Sequence, residues 1–89
     1  MTLNQMKGAK KIMKWFEFDG DAENYYLRKN FKSLRVKAGL KQEDVANRLG
    51  LYRSTFVKYE NNPKSIPIRL LLKLRFIYNC DYNAFFNDV

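Results

Sequence analysis

Residues 42–61 read QEDVANRLGLYRSTFVKYEN, and this stretch decides the fold. Apolar residues recur with a helical period on both sides of Gly50. Gly50 stands where a tight turn needs a positive φ angle, which only glycine adopts freely, and the small Ala46 lets two helices approach closely. The stretch therefore predicts two helices, 42–49 and 53–61, joined by a tight turn. The expected contacts between them come from Val45, Leu49, Leu51, Phe56 and Tyr59.

A further helical face precedes this stretch. It begins near Asn24, after the turn signal DGD at 19–21. It ends before Gly39, which is suited to form a left-handed C-terminal cap. Its apolar residues have the spacing of one helix face. They are Leu27, Phe31, Leu34 and Ala38.

Two more helices are predicted after the stretch. Asn62 tolerates a left-handed backbone, and Pro63 prevents continuation of the second helix. Pro67 suits the first turn of the next helix, Asn79 its end, and Asp81 the cap of a last short helix. The apolar residues of these two helices are Ile68, Leu71, Leu72, Leu74 and Tyr78, followed by Tyr82, Phe85 and Phe86. The sequence therefore predicts a compact all-α domain of four or five short helices.

Charge and composition restrict the class of partner. The chain has 17 Lys and Arg residues against 9 Asp and Glu residues, for a net charge of +8. Such an excess favours a polyanion, which is either nucleic acid or an anionic membrane surface. With 46% hydrophobic residues the 89-residue chain can form a core. A domain this short is nevertheless marginally stable, so a dimer would stabilise it.

The residues that several kinds of chemistry need are missing. The chain has no histidine and one cysteine, Cys80, which excludes an internal disulfide, a zinc site and histidine acid–base catalysis. The sequence has neither a phosphate loop nor a nucleophile paired with a base, so we expect no enzyme and no cofactor. The lone cysteine, which we expect to be a small buried hydrophobe, indicates a reducing cytoplasm. No apolar run approaches the ~20 residues of a membrane helix.

Three segments carry a resemblance to a known family. They are LRVKAGLKQEDVANRLGL at 34–51, RSTFVKYEN at 53–61, and the end of a leucine-rich helix, YNCDYNAFF, at 78–86. In these segments the chain resembles the Cro and repressor-type (XRE) helix-turn-helix family. The resemblance implies a lambda-repressor-like DNA-binding domain, which we assign to residues 24–89, with a short N-terminal extension at 1–23.

The resemblance also implies roles for individual residues. Gln42 opens the positioning helix and contacts phosphate, and Asn61 contacts phosphate just after the recognition helix. Arg35 and Glu60 form an ion pair between the first and third helices, which makes Glu60 structural. Within the recognition helix, Arg53 is suited to the N7 and O6 atoms of guanine. The residues expected to face base edges in the major groove are Arg53, Ser54, Thr55 and Lys58.

Some positions near this surface depart from the family or add charge. Lys41 and Tyr52 occupy N-cap positions that the family usually gives to Ser or Thr, and each lost cap costs about 1 kcal/mol. The Tyr52 hydroxyl is expected to contact phosphate instead. Lys41, Lys64 and Lys37 are expected to add salt-sensitive attraction to DNA phosphates, although each also suits an ordinary solvated surface. Asn62 stands where glycine is usual.

The two ends of the chain are candidates for contacts with other proteins. Operators of this family usually contain two half-sites, so we expect a homodimer on double-stranded DNA. Tyr82, Phe85 and Phe86 are the first candidates for dimer contacts, and at least one of them is expected to close the core instead. The aromatic segment 12–18 lies outside the resemblance. We expect it to pack onto the helices. Binding to a second chain is an alternative, and a membrane anchor is a third that nearby acidic residues disfavour.

These observations predict a sequence-specific transcriptional regulator of the phage or mobile-element repressor type, which reads the major groove with helix 53–61. A DNA-binding antitoxin whose extension holds a partner protein is one alternative. The other is a protein-interaction module of a larger complex that has lost DNA binding. Acidic residues on the recognition face would favour that module, but this chain has Arg53 and Lys58 there.

Overall fold

Five α-helices and one 3-10 turn follow one another along residues 20–87, which are the residues that this computed structural model describes. No strand occurs within that range, so the all-α prediction of four or five helices is confirmed. The aromatic segment 12–18 lies outside the described residues. The elements are α1 (Gly20–Lys37), α2 (Gln42–Leu49), α3 (Arg53–Asn61), the 3-10 turn (Pro63–Ser65), α4 (Ile68–Tyr78) and α5 (Asn83–Phe86).

The bounds of α2 and α3 are those that the sequence predicts, whereas α1 begins earlier than expected. Gly20 is already helical, so the predicted turn at 19–21 is wrong for its last two residues. Ala22 and the residues after it are mostly good helix formers, and their preference outweighs the turn tendency of the short Asp-Gly-Asp sequence. At its other end α1 stops at Lys37, which leaves Ala38 exposed rather than on the buried face.

Backbone conformation explains where most of these helices end. Gly39 and Gly50 have φ angles of 75° and 72°, and an added Cβ would meet no atom within 4 Å at either position. Glycine is therefore required by the left-handed backbone and not by lack of space. Asn79 ends α4 with a φ of 50°. Asn62 is not left-handed, contrary to prediction: its φ is −139°, because a residue before proline is pushed toward the extended region.

The helix N-termini confirm that Lys41 and Tyr52 provide no side-chain cap. Asp44 partly compensates at α2, because its Oδ2 accepts the backbone N–H of Lys41 at 2.8 Å. The cap predicted from Asp81 is wrong, since α5 has Tyr82 at its N-cap with no side-chain hydrogen bond. Pro67 lies one residue before the predicted position, as the N-cap of α4.

The core lies where α1, α4 and α5 pack against the α2–α3 pair. Asn30 is a buried polar residue that ties α1 to the C-terminal end, because its Nδ2 donates to the carbonyl oxygens of Phe85 at 3.0 Å and Asn87 at 2.6 Å. The Phe31 and Phe85 rings lie 4.8 Å apart between their centroids. The buried apolar residues are Leu27, Phe31, Val45, Ala46, Leu49, Phe56, Leu70, Leu71, Leu74, Tyr78 and Phe85.

Candidate nucleic-acid interface

The N-termini of α2 and α3 meet through one glutamine side chain. Gln42, the first residue of α2, accepts a hydrogen bond on Oε1 from Nη2 of Arg53, the first residue of α3, at 3.2 Å. Its Nε2 donates to Oε1 of Glu60 at 2.8 Å. Gln42 therefore links the start of the predicted recognition helix to a carboxylate at the other end of the same helix.

That carboxylate belongs to a buried ion pair between α1 and α3. Arg35 Nε lies 2.8 Å from Glu60 Oε2, and the two side chains are only 11% and 5% exposed. This is the pair that the family resemblance implies. Arg35 Nη1 also donates to the carbonyl oxygen of Leu40 at 3.0 Å. We call the chain of bonds from Leu40 through Arg35, Glu60 and Gln42 to Arg53 the Arg53 network.

The Arg53 network matters for stability because its ion pair between Arg35 and Glu60 is buried. Because the Glu60 carboxylate is taken out of water, it needs both of its donors to offset the desolvation that burial imposes. Removing one partner of a buried pair typically costs 3–5 kcal/mol, since the other charge is left without compensation. The network therefore fixes how α1, α2 and α3 lie against one another, and it restrains Arg53 at the edge of the surface.

The predicted base-reading residues share the outer face of α3. Arg53, Ser54 and Lys58 are exposed and Thr55 is half-buried, whereas Phe56 is completely buried on the inner face. This face carries cations and hydroxyl groups, which are suited to acceptors on base edges and to phosphate oxygens. No carboxylate of α3 shares it, because Glu60 is turned inward.

The predicted phosphate-contacting residues fall into two groups. Four of them lie close to the N-termini of α2 and α3 or to the C-terminal end of α3: Lys41, Gln42, Tyr52 and Asn61. Tyr52 is 84% exposed, so no contact within the described residues explains its large ring. Lys64 is different, since it lies in the 3-10 turn beside a groove formed by residues of α1, α4 and α5.

One feature of this surface is absent from the sequence-based prediction. A groove of about 420 Å³ runs between α1 and the α2–α3 pair, and we call it the α1 groove. Its signal was present in the sequence, because Arg28, Lys32 and Arg35 are spaced four and three residues apart, as on one helix face. The groove is lined by Tyr25, Arg28, Lys29, Lys32, Arg35, Gln42, Glu60 and Asn61.

Two titratable groups near this region have altered pKa values. Burial raises the pKa of Tyr78 well above its ordinary value, the Glu60 charge raises it further, and Arg35 opposes the change. The Tyr78 hydroxyl has no hydrogen-bond partner among the described residues. Burial, followed by the charge of Asp81, also raises the pKa of the half-buried Cys80 thiol. The thiol therefore remains protonated at neutral pH, and it packs against the core as a small apolar group.

The C-terminal helices expose an apolar surface on the outside of the molecule. Ile68, Leu72 and Phe76 are spaced four residues apart on α4 and are 69%, 47% and 81% exposed. Tyr82 and Phe86 are also exposed, as a dimer contact requires. Phe85 is not, because its side chain is completely buried in the core. Phe85 is therefore wrong as a candidate dimer contact, and it confirms that at least one of the three aromatics closes the core.

Comparisons with known proteins give one match. Residues 28–89, well over half of the chain, match the family described as a helix-turn-helix domain. No curated protein and no solved structure matches the chain. Within the part of the chain that the structure describes, no helix is long and apolar enough to cross a membrane.

Proposed function

The chain belongs to the helix-turn-helix family, and from this premise we propose that it is a sequence-specific regulator of transcription that binds double-stranded DNA. Helix α3 reads the major groove through the outward residues Arg53, Ser54, Thr55 and Lys58. The observation that carries the proposal is the outer face of α3, which presents cations and hydroxyl groups with no carboxylate among them. The mechanism is steric, as in a phage or mobile-element repressor that occupies an operator overlapping a promoter.

The phosphate contacts complete this proposal. Gln42, Lys41, Tyr52 and Asn61 bind the backbone on either side of α3, and Lys64 adds a more distant contact. A high exposed fraction supports the role of Tyr52, because a side chain that contributes little to the core is available for a ligand. One exposed hydrogen bond of 3.2 Å joins Arg53 to Gln42 in the chain without DNA. Restraining a long side chain in advance reduces the conformational entropy that binding removes.

We also propose that the regulator binds as a homodimer of the chain. One nine-residue recognition helix reads only a few base pairs, so a second copy is needed for a useful affinity. The exposed apolar residues of the C-terminal helices support a symmetric contact through this surface. The proposal uses Tyr82 and Phe86 together with Phe76 of α4, all of which are open to solvent in the single chain.

Selection from random double-stranded DNA, at a physiological ionic strength of about 0.15 M, tests the proposal. We expect enrichment of a two-fold symmetric motif with half-sites about one helical turn apart. Arg53→Ala should weaken binding to the motif by about tenfold or more, because a bidentate contact to guanine contributes about 1–3 kcal/mol. Lys73→Ala is the matched control, since it removes an exposed cation from α4 and leaves α3 unchanged.

The outcomes separate the candidate functions. If no motif is enriched and binding is only weak and salt-sensitive, the chain is not a regulator that acts alone. A partner protein that restored the motif on addition would then identify a DNA-binding antitoxin. Equal loss of binding in the Arg53 and Lys73 variants would contradict base reading by α3.

A further inference from the structure

The α1 groove lies next to the helix-turn-helix and carries an excess of positive charge. Among the described residues, four cationic side chains and one carboxylate line it. The carboxylate, Glu60, is already occupied by Arg35 at 2.8 Å and by Gln42 at 2.8 Å. It therefore compensates Arg35 and leaves the groove with the positive charge of α1. The cations that the inference uses are Arg28 and Lys32, both of which are exposed.

The spacing of these cations suits a linear polyanion. Arg28 and Lys32 lie on the same face of α1 as Arg35, at intervals of four and three residues. From Arg28 to Lys32 the helix axis rises by about 6 Å. Phosphates along one DNA strand repeat at about 3.4 Å along the duplex axis, so these two cations correspond to about two phosphates.

The groove is continuous with the proposed interface. Gln42 and Asn61, the two residues that the resemblance assigns to phosphate, line the same groove as Arg28 and Lys32. Gln42 also contacts Arg53 at the start of α3. A DNA backbone that contacts Gln42 and Asn61 is therefore already at one end of the groove, and the cations of α1 continue the same line of contacts.

We infer that the α1 groove binds phosphates of the DNA backbone that lie beyond the base pairs read by α3. The inference rests on the proposed function, which it extends from the recognition helix to a third helix. It requires a protected region on DNA that is wider than the sequence motif. A free phosphate ion has the same chemistry as the backbone groups, so the test has to distinguish these two sources.

Binding to two duplexes tests the inference. One duplex ends at the selected motif, and the other extends it by about one helical turn on each side. Dissociation constants are measured for both over a range of salt concentrations. The wild-type protein should bind the longer duplex about tenfold more tightly, and the logarithm of its affinity should fall more steeply with the logarithm of salt concentration.

The Arg28→Gln/Lys32→Gln variant should lose this advantage. Each lost phosphate contact reduces the salt slope by about one, so the double variant should have a slope lower by about two for each subunit and should bind both duplexes equally. Both side chains are exposed, and glutamine is a good helix former, so the melting temperature should not change. Arg69→Gln/Lys73→Gln is the matched control for net charge, because it removes two exposed cations from α4 and should keep the advantage of the longer duplex. Sedimentation velocity on both double variants first establishes that the oligomeric state is that of the wild-type protein, since Arg69 and Lys73 lie beside Phe76.

Three further results would overturn the inference. A double variant that keeps the wild-type salt slope and length dependence shows that DNA does not enter the groove. The same conclusion follows if the control variant loses as much as the α1 variant, because net charge alone then explains the effect. Saturable binding of inorganic phosphate to the wild-type protein, with no length dependence on DNA, would identify a site for a small anion.

Failure of the proposed function gives a different result. In that case the random-DNA selection enriches no motif, and the extended duplex is replaced by a mixed-sequence duplex of the same length. The salt slopes of the wild-type protein, the α1 variant and the α4 control are then compared on that duplex. A slope lowered only in the α1 variant supports the groove as a phosphate site even when α3 reads no sequence.

Discussion

Glu60 performs several tasks with one buried carboxylate. Its two oxygens accept hydrogen bonds from Arg35 and Gln42, and its charge reaches the phenol of Tyr78. The hydrogen bonds from Arg35 and Gln42 stabilise the negative charge of Glu60, and that charge disfavours a second negative charge on Tyr78. Glu60 therefore links the packing of α1, α2 and α3 to the ionisation of a tyrosine on α4.

Tyr78 should make the protein less stable in alkaline solution. An unfolded tyrosine ionises with a pKa of about 10, whereas burial keeps the folded phenol protonated well above that pH. The native state then binds more protons than the unfolded state, so the free energy of unfolding falls as pH rises above about 10, by up to about 1.4 kcal/mol per pH unit. Urea unfolding over a series of alkaline pH values measures this slope.

Two phenylalanine variants isolate the contribution of Tyr78. Tyr78→Phe should reduce the alkaline slope. It should also raise the stability at neutral pH by about 1 kcal/mol, because it removes a buried hydroxyl that has no hydrogen-bond partner within residues 20–87. Tyr52→Phe is the matched control, since Tyr52 is 84% exposed and losing its hydroxyl removes no buried group. Equal slopes in wild-type and Tyr78→Phe proteins would assign the alkaline loss to other groups.

At the scale of elements, α3 lacks a side-chain cap at the N-terminus that is proposed to contact DNA. Tyr52 occupies the N-cap position with an extended backbone, which is the conformation that a capping residue needs. Its phenol is too long to accept a hydrogen bond from the first backbone N–H groups, and the structure contains no such bond. The helix therefore begins without a side-chain cap, and the exposed ring is left for another partner.

Replacing Tyr52 by serine should raise stability and weaken DNA binding at the same time. Serine provides the missing acceptor, so Tyr52→Ser should stabilise the fold by about 1 kcal/mol. Losing a phosphate contact should reduce DNA affinity by about tenfold to a hundredfold, because a hydrogen bond to a charged group contributes about 1.5–3 kcal/mol. Thermal melting and a DNA titration measure the two effects. Tyr52→Phe, which gains no cap, should weaken binding without raising the melting temperature. Unchanged DNA affinity in both variants would contradict the phosphate contact.

The bounds of the helices show how much of the fold can be predicted from the sequence. The bounds of α2 and α3 are correct because Gly50 and Pro63 interrupt the backbone for reasons that do not depend on the rest of the fold. The start of α1 is wrong because a weak local turn signal competes with a long helical segment. The conformation of Asn62 is wrong because the following proline decides it.

The site is less predictable from the sequence than the helices are. The family resemblance pairs Arg35 with Glu60, but the bonds of Gln42 to Glu60 and Arg53 depend on side chains that meet only after α2 and α3 have packed. Helical spacing places Arg28 and Lys32 on one face, yet only the packed structure brings that face beside Gln42. Local patterns therefore predict elements, while contacts between elements require the fold.

At the scale of the whole molecule, the α1 groove and the exposed apolar residues near the C-terminus belong to different elements. The groove is lined by α1, α2 and α3, whereas Ile68, Leu72 and Phe76 lie on α4, next to the exposed cations Arg69 and Lys73. A dimer through the apolar surface would leave both recognition helices open to DNA. It would also cover side chains that a single small domain otherwise exposes to water.

Phe76→Glu should therefore convert a dimer into a monomer. Phe76 is 81% exposed in the single chain, so the substitution should leave the melting temperature of the monomer nearly unchanged while adding a charge to the contact. Sedimentation velocity at micromolar concentration measures the oligomeric state. Val36→Glu is the control, because Val36 is 59% exposed but lies on α1. If changes at Tyr82 and Phe86 dissociate the dimer but Phe76→Glu does not, the dimer contact lies at the C-terminal end and not on α4. A wild-type protein that is monomeric even on DNA would refute the dimer.

The two hydrogen bonds of the Gln42 side chain bear on how new operator specificities can evolve in this protein. Exchanges at Ser54 or Lys58 alter the outer face of α3 without disturbing any buried hydrogen bond described above. An exchange at Arg53 is different, because it breaks the exposed 3.2 Å hydrogen bond to Oε1 of Gln42 while the other end of the same amide remains bound to Glu60. Water can replace that exposed donor, so changes at Arg53 should alter operator specificity and leave the buried contacts of α1, α2 and α3 intact.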